Sequence, residues 1–362
     1  MELTSAIGAI STVEDAEMPK TSGAAIRSPV FEVRELEVHF RTRTGDTMLR
    51  AVDKVSFQVH RGETFGIIGE SGSGKSTLAR ALTYLTKPTR GQILQDGIDP
   101  LNLGPRELRT HRRRFQLIFQ NPDSALNPRR SILSSVVEPL EIVRGQRTVE
   151  LEGLALQALE KVGLRSEFAL RYPHQLSGGQ KQRVNIARAL VMQPAALVCD
   201  EIVSALDVSI RAEVLNLLIG IQAELGLTVV FITHDLSVVS HVSDRIAVMY
   251  LGQIVELADA AELRGRPLHP YTRALWSAEP QLSRSVAEGG HHRVTLQGEI
   301  PSPVTPPSGC RFRTRCPHAR EICVEKMPLL REPAPGHQVA CHFDLEYPDL
   351  FTDGNARLAT QP

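Results

Sequence analysis

The stretch Glu63 to Leu85 reads ETFGIIGESGSGKSTLARALTYL and carries three textures in succession. Glu63 to Ile68 is a short, nearly continuous β-prone run, the pattern of a strand covered on both faces. Lys75 to Leu85 reads as a helix. Between them Gly69 to Ser76, GESGSGKS, fits G-x-x-x-x-G-K-[ST] in the strand-then-helix setting that a phosphate-binding loop requires. At average glycine usage such a match arises by chance in about one chain in a hundred of this length. Given its context, a glycine turn without a ligand carries roughly 5% of the weight. Gly69, Gly72 and Gly74, with Glu70, Ser71 and Ser73 between them, let successive backbone N–H groups turn inward on phosphate oxygens. The helix that starts near Lys75, Ser76 and Thr77 adds about half a positive charge at its N-terminus. Lys75 is placed to neutralise the β and γ phosphates, and the Ser76 hydroxyl to ligate Mg2+.

A second unit of the same kind begins at Ala195. Its apolar run to Cys199 ends in Asp200 and Glu201, a helix-like stretch follows from Ile210 to Leu225, and Thr228 to Ile232 is the next strand. Strands alternating with helices predict a parallel α/β sheet. Asp200 fits the acid that completes a Mg2+ shell, and Glu201 a general base for attacking water. Two acids at a strand end are also what an exposed terminus carries, and it is the loop at Gly69 that tips the balance. Together the two elements predict a nucleoside triphosphatase, with GTPase, kinase, helicase and transport ATPase all open.

Outward from these units, Val30 to Phe40 and Ala51 to Val59 read as strands around a polar turn near Gly45. Glu138 to Arg188 has mostly helical periodicity and reads as an insertion. After Glu262 the prolines at 267, 270, 280, 301, 303, 306 and 307 deny any ladder its donors and predict a separate loop-rich appendage. No motif recurs. The 362 residues leave room for about two or three packed units. Hydrophobic residues at 42% and charged ones at 23% lie far from the disordered corner of composition. Forty-one basic against forty-one acidic side chains remove the global positive field of a dedicated nucleic-acid binder. The longest apolar runs, such as Leu227 to Ile232, are strand-sized, so no membrane span is expected. Residues 1–28 carry Glu14, Asp15 and Glu17 without an apolar core segment and read as a disordered leader, not a secretory signal.

The segment that narrows the class is Leu176 to Gln180, LSGGQ, followed by a helix from Lys181 to Arg188. A serine hydroxyl and glycine N–H groups at a helix start make a second anion site. Here the sequence resembles the ATP-binding subunits of ABC transporters, whose signature is LSGGQ. The resemblance implies that Ser177, Gly178, Gly179 and Gln180 of one cassette close on the nucleotide held by another, so the chain must pair to work. It assigns Gln120, in Ile118-Phe119-Gln120-Asn121-Pro122, to the Q-loop that touches Mg2+ and senses the membrane partner. It places Asp207 in the D-loop, His234 as the switch histidine on the γ phosphate, and Phe40 as the aromatic that stacks on adenine. An aromatic at a strand end is more often simply core. The resemblance spans roughly residues 30 to 345. Most relatives in this branch carry proline after the catalytic glutamate, where this chain has Ile202; without the fixed φ of a proline the acid is expected to wander and hydrolysis to slow.

Two further stretches, Pro267 to Leu275 (PLHPYTRAL) and Gly298 to Pro303 (GEIPSP) running on to Phe312, resemble the oligopeptide, dipeptide and nickel importer branch. Asp207 to Ile210 leans the same way. That resemblance implies import of short peptides, ATP and Mg2+ as cofactors, a second ATPase subunit, two transmembrane permease subunits and a periplasmic or extracellular substrate-binding protein. It places the chain at the cytoplasmic face of the cell membrane, with no nucleic acid. Cys310, Cys316, Cys323 and Cys341 match neither zinc pairs nor the ferredoxin run; spacing alone leaves a metal site and four reduced thiols as equals, and zinc stays open. The branch resemblance favours a [4Fe-4S] cluster on these four. Cys199 reads as core. The run His111 to Arg114 reads as a solvated helix face before it reads as a nucleic-acid patch.

The resulting expectation is α/β: a P-loop NTPase (RecA-like) core with an N-terminal antiparallel β subdomain, a helical insertion and a loop-rich C-terminal extension. The leader is assigned to 1–28, the ATPase domain to 29–262 with its helical subdomain at about 121–190, and the extension with its cysteines to 263–362. Competing readings are a soluble ABC-type ATPase acting on ribosomes or DNA, and a nucleotide-gated binding module without turnover. The single cassette with a short insertion speaks against the first, and Glu201 with His234 against the second.

Overall fold

The computed structural model describes residues 28–42, 47–278, 296 and 298–343. Apart from Ser28, the leader expected at 1–28 lies outside the described residues, as does the end of the chain beyond Phe343. In chain order the strands are β1 (Pro29–Arg41), β2 (Met48–His60), β3 (Thr64–Ile68), β4 (Arg90–Gln95), β5 (Phe115–Ile118), β6 (Ala196–Asp200), β7 (Thr228–Ile232), β8 (Arg245–Tyr250), β9 (Gln253–Asp259), β10 (Arg331–Ala334) and β11 (His337–Val339). The α-helices are α1 (Lys75–Leu82), α2 (Pro105–Arg112), α3 (Pro122–Ala125), α4 (Ile132–Arg144), α5 (Val149–Lys161), α6 (Gly178–Leu190), α7 (Val208–Leu225), α8 (Leu236–Val242), α9 (Ala260–Gly265), α10 (Pro270–Ser277) and α11 (Glu321–Glu325).

The main sheet runs β10-β11-β9-β8-β3-β7-β6-β5, with β8, β3, β7, β6 and β5 parallel. Every residue of β3, β6 and β7 is buried, which is why these strands read as unbroken apolar runs and not as alternations. A smaller antiparallel sheet, β2-β1-β4, packs with α1 into one core. Helices α4 to α7 form a second core on the other side. Because both phosphate-loop strand and acid-bearing strand lie in the sheet's interior, their C-terminal ends are fixed relative to each other before any ligand arrives.

Three local differences from the sequence reading have physical causes. Helix α1 stops at Leu82 because Thr83 turns its hydroxyl back to Ala79 O (3.2 Å) and Tyr84 adopts a left-handed φ of 53°. Tyr84 then donates its own hydroxyl to Ile93 O at 2.8 Å, tying α1 to the small sheet. The His111–Arg114 run is only half solvated: His111 is buried against Phe115, while Arg112 donates to Tyr84 O and Arg114 pairs with Asp96. Finally, the C-terminal extension is not separate, since β11 pairs antiparallel with β9 through Gln338↔Leu257 and Val339↔Glu256. A three-residue strand is too short to announce itself by periodicity.

The extension is also anchored by a fully buried carboxylate. Glu256 accepts the backbone N–H of Leu268 (2.6 Å) and of His269 (2.9 Å) and lies 2.8 Å from His337 Nε2. Phe312, on the extension, is buried against Tyr250 of β8 and Tyr271 of α10, with ring centroids 5.3 and 5.4 Å away. Such aromatic contacts contribute about 0.5–1.5 kcal/mol each beyond area burial.

Candidate active site

The loop from Gly69 to Gly74 leaves β3 and enters α1 with glycines at the positions no other residue would fill. Gly74 has φ 105°, and a Cβ there would meet Ala51 O at 2.0 Å. Lys75 folds back over the loop, its Nζ donating to Gly69 O (2.7 Å) and Glu70 O (2.9 Å). Ser76 donates its hydroxyl to Asp200 Oδ1 at 3.0 Å, so the first helical turn of α1 and the end of β6 touch directly.

Burial acts on both charged groups. Desolvation lowers the pKa of Lys75, with Glu201, Asp200 and Glu70 pulling the other way. Desolvation raises that of Asp200, with the Ser76 hydrogen bond opposing it and Glu201 adding to it. A buried acid short of positive charge beside a buried ammonium short of negative charge is complementary to a cation bound to an anion. The residues thus fit Mg2+ and a triphosphate.

Glu201 stands at the far rim, where the chain leaves β6 with a left-handed φ of 50°. Its N–H donates to Ile232 O at 2.9 Å, its Oε2 accepts from Gln120 Nε2 at 2.8 Å, and its Oε1 lies 3.4 Å from His234 Nδ1. Gln120 reaches Ser204 Oγ as well, at 3.3 Å. Strands β5, β6 and β7 are neighbours in the sheet, so residues just beyond their ends converge although 81 positions separate Gln120 from Glu201. Ile202 is 1% exposed and belongs to the core around Val203 and Leu206. Burial of the next side chain therefore anchors the turn that a proline ring would stiffen.

The other sequence-predicted residues lie apart from this cluster. Ser177 caps α6 in a capping box with Gln180, and both Ser177 and Gly178 are exposed. Gly179 is buried so closely on α7 that a Cβ would meet Ile210 at 2.3 Å. Asp207 is exposed at the start of α7, next to Val208 at 80% exposure. Phe40, at 40% exposure near the end of β1, is not core. Cys310, Cys316, Cys323 and Cys341 line one small cavity with His269, Phe312 and His318, and all four are free thiols. No three of their sulfurs lie within 4.8 Å of one another. Glu37, His39 and Asp53 do bring three potential ligand atoms within that distance, with the buried Arg311 guanidinium on Asp53 as their counter-charge. Sequence reasoning missed Tyr271 and Arg315: the first accepts the Glu70 N–H at 2.9 Å, and the second pairs with the Glu70 carboxylate. Both lie more than 200 positions from the loop, and only the stretch PLHPYTRAL hinted at either.

The chain is similar to known proteins in sequence and fold. A profile described as ABC transporter matches residues 52–204, and one described as the oligopeptide/dipeptide transporter C-terminal region matches residues 255–323. The putative oligopeptide transport ATP-binding protein YkfD of Bacillus subtilis (strain 168) is 49% identical over 317 residues, 87% of this chain and 96% of that protein. The oligopeptide transport ATP-binding protein AppF of the same organism is 48% identical over 325 residues, covering 88% of this chain and 98% of its own length. A dimeric structure of the ATP-binding cassette MJ0796, in a post-hydrolysis state bound to ADP and Pi, superposes with a TM-score of 0.58 at 33% identity, over 64% of this chain and 98% of that one. The chain belongs to the ATP-hydrolysing, ATP-binding subunits of ABC transporters, in the branch that carries the oligopeptide/dipeptide transporter C-terminal region.

Proposed function

We propose that this chain powers the import of short peptides, paired with an identical or sister cassette beneath two transmembrane permease subunits at the cytoplasmic face of the cell membrane. A substrate-binding protein outside delivers the cargo. The relatives named for peptide or oligopeptide transport support this substrate class. Among the described residues no helix is long and apolar enough to cross a membrane, in keeping with membrane attachment through partners. The observation that carries the catalytic reading is the Glu201 carboxylate held between Gln120 and His234 beside the Ser76–Asp200 contact.

In this reading the N–H groups of Gly72 to Thr77 receive the phosphates, and Lys75 exchanges the carbonyls of Gly69 and Glu70 for phosphate oxygens. Mg2+, held by Ser76, Asp200 and Gln120, supplies charge neutralisation at the β and γ phosphates. Phe40 stacks on the adenine. Ser177, Gly178, Gly179 and Gln180 of one cassette, with Asp207 beside them, close over the γ phosphate bound by the other. Glu201 takes a proton from the attacking water and His234 holds the γ phosphate, aligning the displacement. Hydrolysis then opens the pair. The test is ATP turnover by the chain assembled with its permeases, with and without peptide and binding protein. Stimulation by both together, lost in Glu201→Gln, is expected; turnover indifferent to every peptide would remove the substrate class.

We propose that the four C-terminal cysteines, which line one cavity, would be the ligands of a [4Fe-4S] cluster, with zinc as the competing occupant. Bound there, such a cluster would tie the Cys310–Cys316 turn to Cys323 on α11 and to Cys341. Anaerobically purified chain is expected to carry about four irons with matching sulfide; stoichiometric zinc instead would reverse the assignment.

A further inference from the structure

The phosphate loop is held from outside by the C-terminal extension. Arg315 makes a bidentate pair with Glu70, Nη1 to Oε2 at 2.6 Å and Nη2 to Oε1 at 3.0 Å, and its side chain is only 7% exposed. Tyr271, fully buried, accepts the backbone N–H of the same residue at 2.9 Å. The Glu70 carbonyl is meanwhile taken by Lys75. All three polar groups of Glu70 are therefore engaged, two of them by residues beyond the ATPase core. A second support is less direct: Gly252 N–H donates to Ser73 O at 2.8 Å, and the preceding carbonyl, Leu251 O, accepts from buried Arg311. Arg311 and Arg315 both lie in the turn bracketed by Cys310 and Cys316.

A carboxylate in a loop built to receive a triphosphate is a liability. Glu70 opens the run of variable positions in that loop, and its charge would repel the phosphates unless it is compensated. A bidentate guanidinium is the strongest side-chain compensation available, and burial limits its screening by salt. Fixing both ends of the residue also spares the ordering cost that a loose loop would meet on binding.

Taking ATP as the ligand of this loop, we propose that Arg315 is a positioning residue for nucleotide binding: it cancels the Glu70 charge and, with Tyr271, fixes the first turn of the phosphate loop, making the C-terminal extension a working part of the ATP site. The extension thereby couples its own integrity to ATP affinity in the same chain. The bidentate pair carries the effect, and Tyr271 fixes the direction of the backbone.

The experiment measures ATP affinity of the full-length chain, together with KM and kcat in the assembled transporter, for wild type, Arg315→Ala, Arg315→Lys and the double variant Arg315→Ala/Glu70→Gln. Arg315→Ala is expected to weaken ATP binding about tenfold, the scale of one uncompensated charge several ångströms from the phosphates. The loss appears in KM, with kcat at saturation within about threefold of wild type. Arg315→Lys keeps the charge but not the two-point geometry and is expected to fall between wild type and Arg315→Ala, and the double variant regains most of what Arg315→Ala lost. Recovery on removing a second side chain has no explanation in folding alone. Unchanged affinity in Arg315→Ala would overturn the inference. So would a double variant as weak as the single, or a loss confined to kcat. A wild-type chain that binds no ATP would overturn the functional reading along with it, whereas wild-type binding with an indifferent Arg315→Ala sinks the inference alone.

Discussion

The chain contains two glycine-rich helix starts suited to phosphate, and they are built in opposite ways. At α1, Lys75 and Ser73 are buried, loop backbone groups are engaged by Lys75, by Gly252 in the turn after β8 and by Tyr271 of α10, Arg315 of the extension pairs with the Glu70 carboxylate, and Ser76 already touches Asp200. At α6, Ser177 and Gly178 face solvent, and Ser177 is occupied in capping its own helix through Gln180. A site pre-organised by its own chain binds without help, while an exposed anion site gains its ligand only when a second surface brings one. On the function proposed above, the comparison separates what a single cassette does, hold nucleotide, from what only a pair does, hydrolyse it.

The sharpest way to break this comparison is at Glu201, which belongs to the closed side and, in the proposed mechanism, acts only after pairing. Glu201→Gln keeps the Gln120 and His234 neighbours and removes the base, so the transporter's ATPase rate is expected to fall by about 10^2 to 10^4, with ATP affinity of the lone chain unchanged. A residual rate near wild type would mean that another group accepts the proton.

Next in size is the contrast between the two helix starts themselves. Ser177→Arg fills the exposed side with a bulky cation and is expected to cost about 10^2 to 10^3 in turnover, comparable to losing a charge-stabilising donor. ATP binding by the isolated chain should be untouched. Lys75→Ala is expected to lose binding itself, because the buried ammonium, held on Gly69 O, is the group proposed to meet the phosphates. Equal loss of binding in both variants, measured by titration with a fluorescent ATP analogue, would erase the distinction between a complete site and a half-site.

How much of this was legible beforehand follows the same division. The strands β3, β6 and β7 were readable because full burial makes them predominantly apolar, and the loop because its chemistry admits few residues. The convergence of Gln120, Glu201 and His234 was available only through resemblance, since a sheet order of β5-β6-β7 leaves no trace in spacing along the chain. The hold of Arg315 and Tyr271 on Glu70 was invisible, because a pairing over more than 200 positions depends on where a proline-rich segment packs and not on any local pattern. Proline density suggested an appendage; Glu256 and β11 make it part of the core sheet.

A smaller effect concerns how the acid is held. Ile202 lies in the core behind Glu201, so Ile202→Ala is expected to cost about 2–5 kcal/mol of stability through the cavity it leaves. Thermal unfolding checks this, and a loss under about 0.5 kcal/mol would place Ile202 with surface substitutions instead.

The smallest expected effect is that of Ile202→Pro, and it separates two ways of fixing one carboxylate. With only sequence to go on, isoleucine implies a loose acid and slow hydrolysis. In the fold, Glu201 is tied by its N–H to Ile232 O and by its carboxylate to Gln120, and burial of Ile202 fixes the turn from the next position. A proline would add rigidity that is already present while giving up part of a packed side chain. The ATPase rate of the assembled transporter is therefore expected to change by less than about threefold, a barrier difference under roughly 0.7 kcal/mol. A tenfold acceleration would instead mean that the hydrogen bonds seen around Glu201 do not persist during turnover, and that the phosphate side of the molecule is less finished than its packing implies.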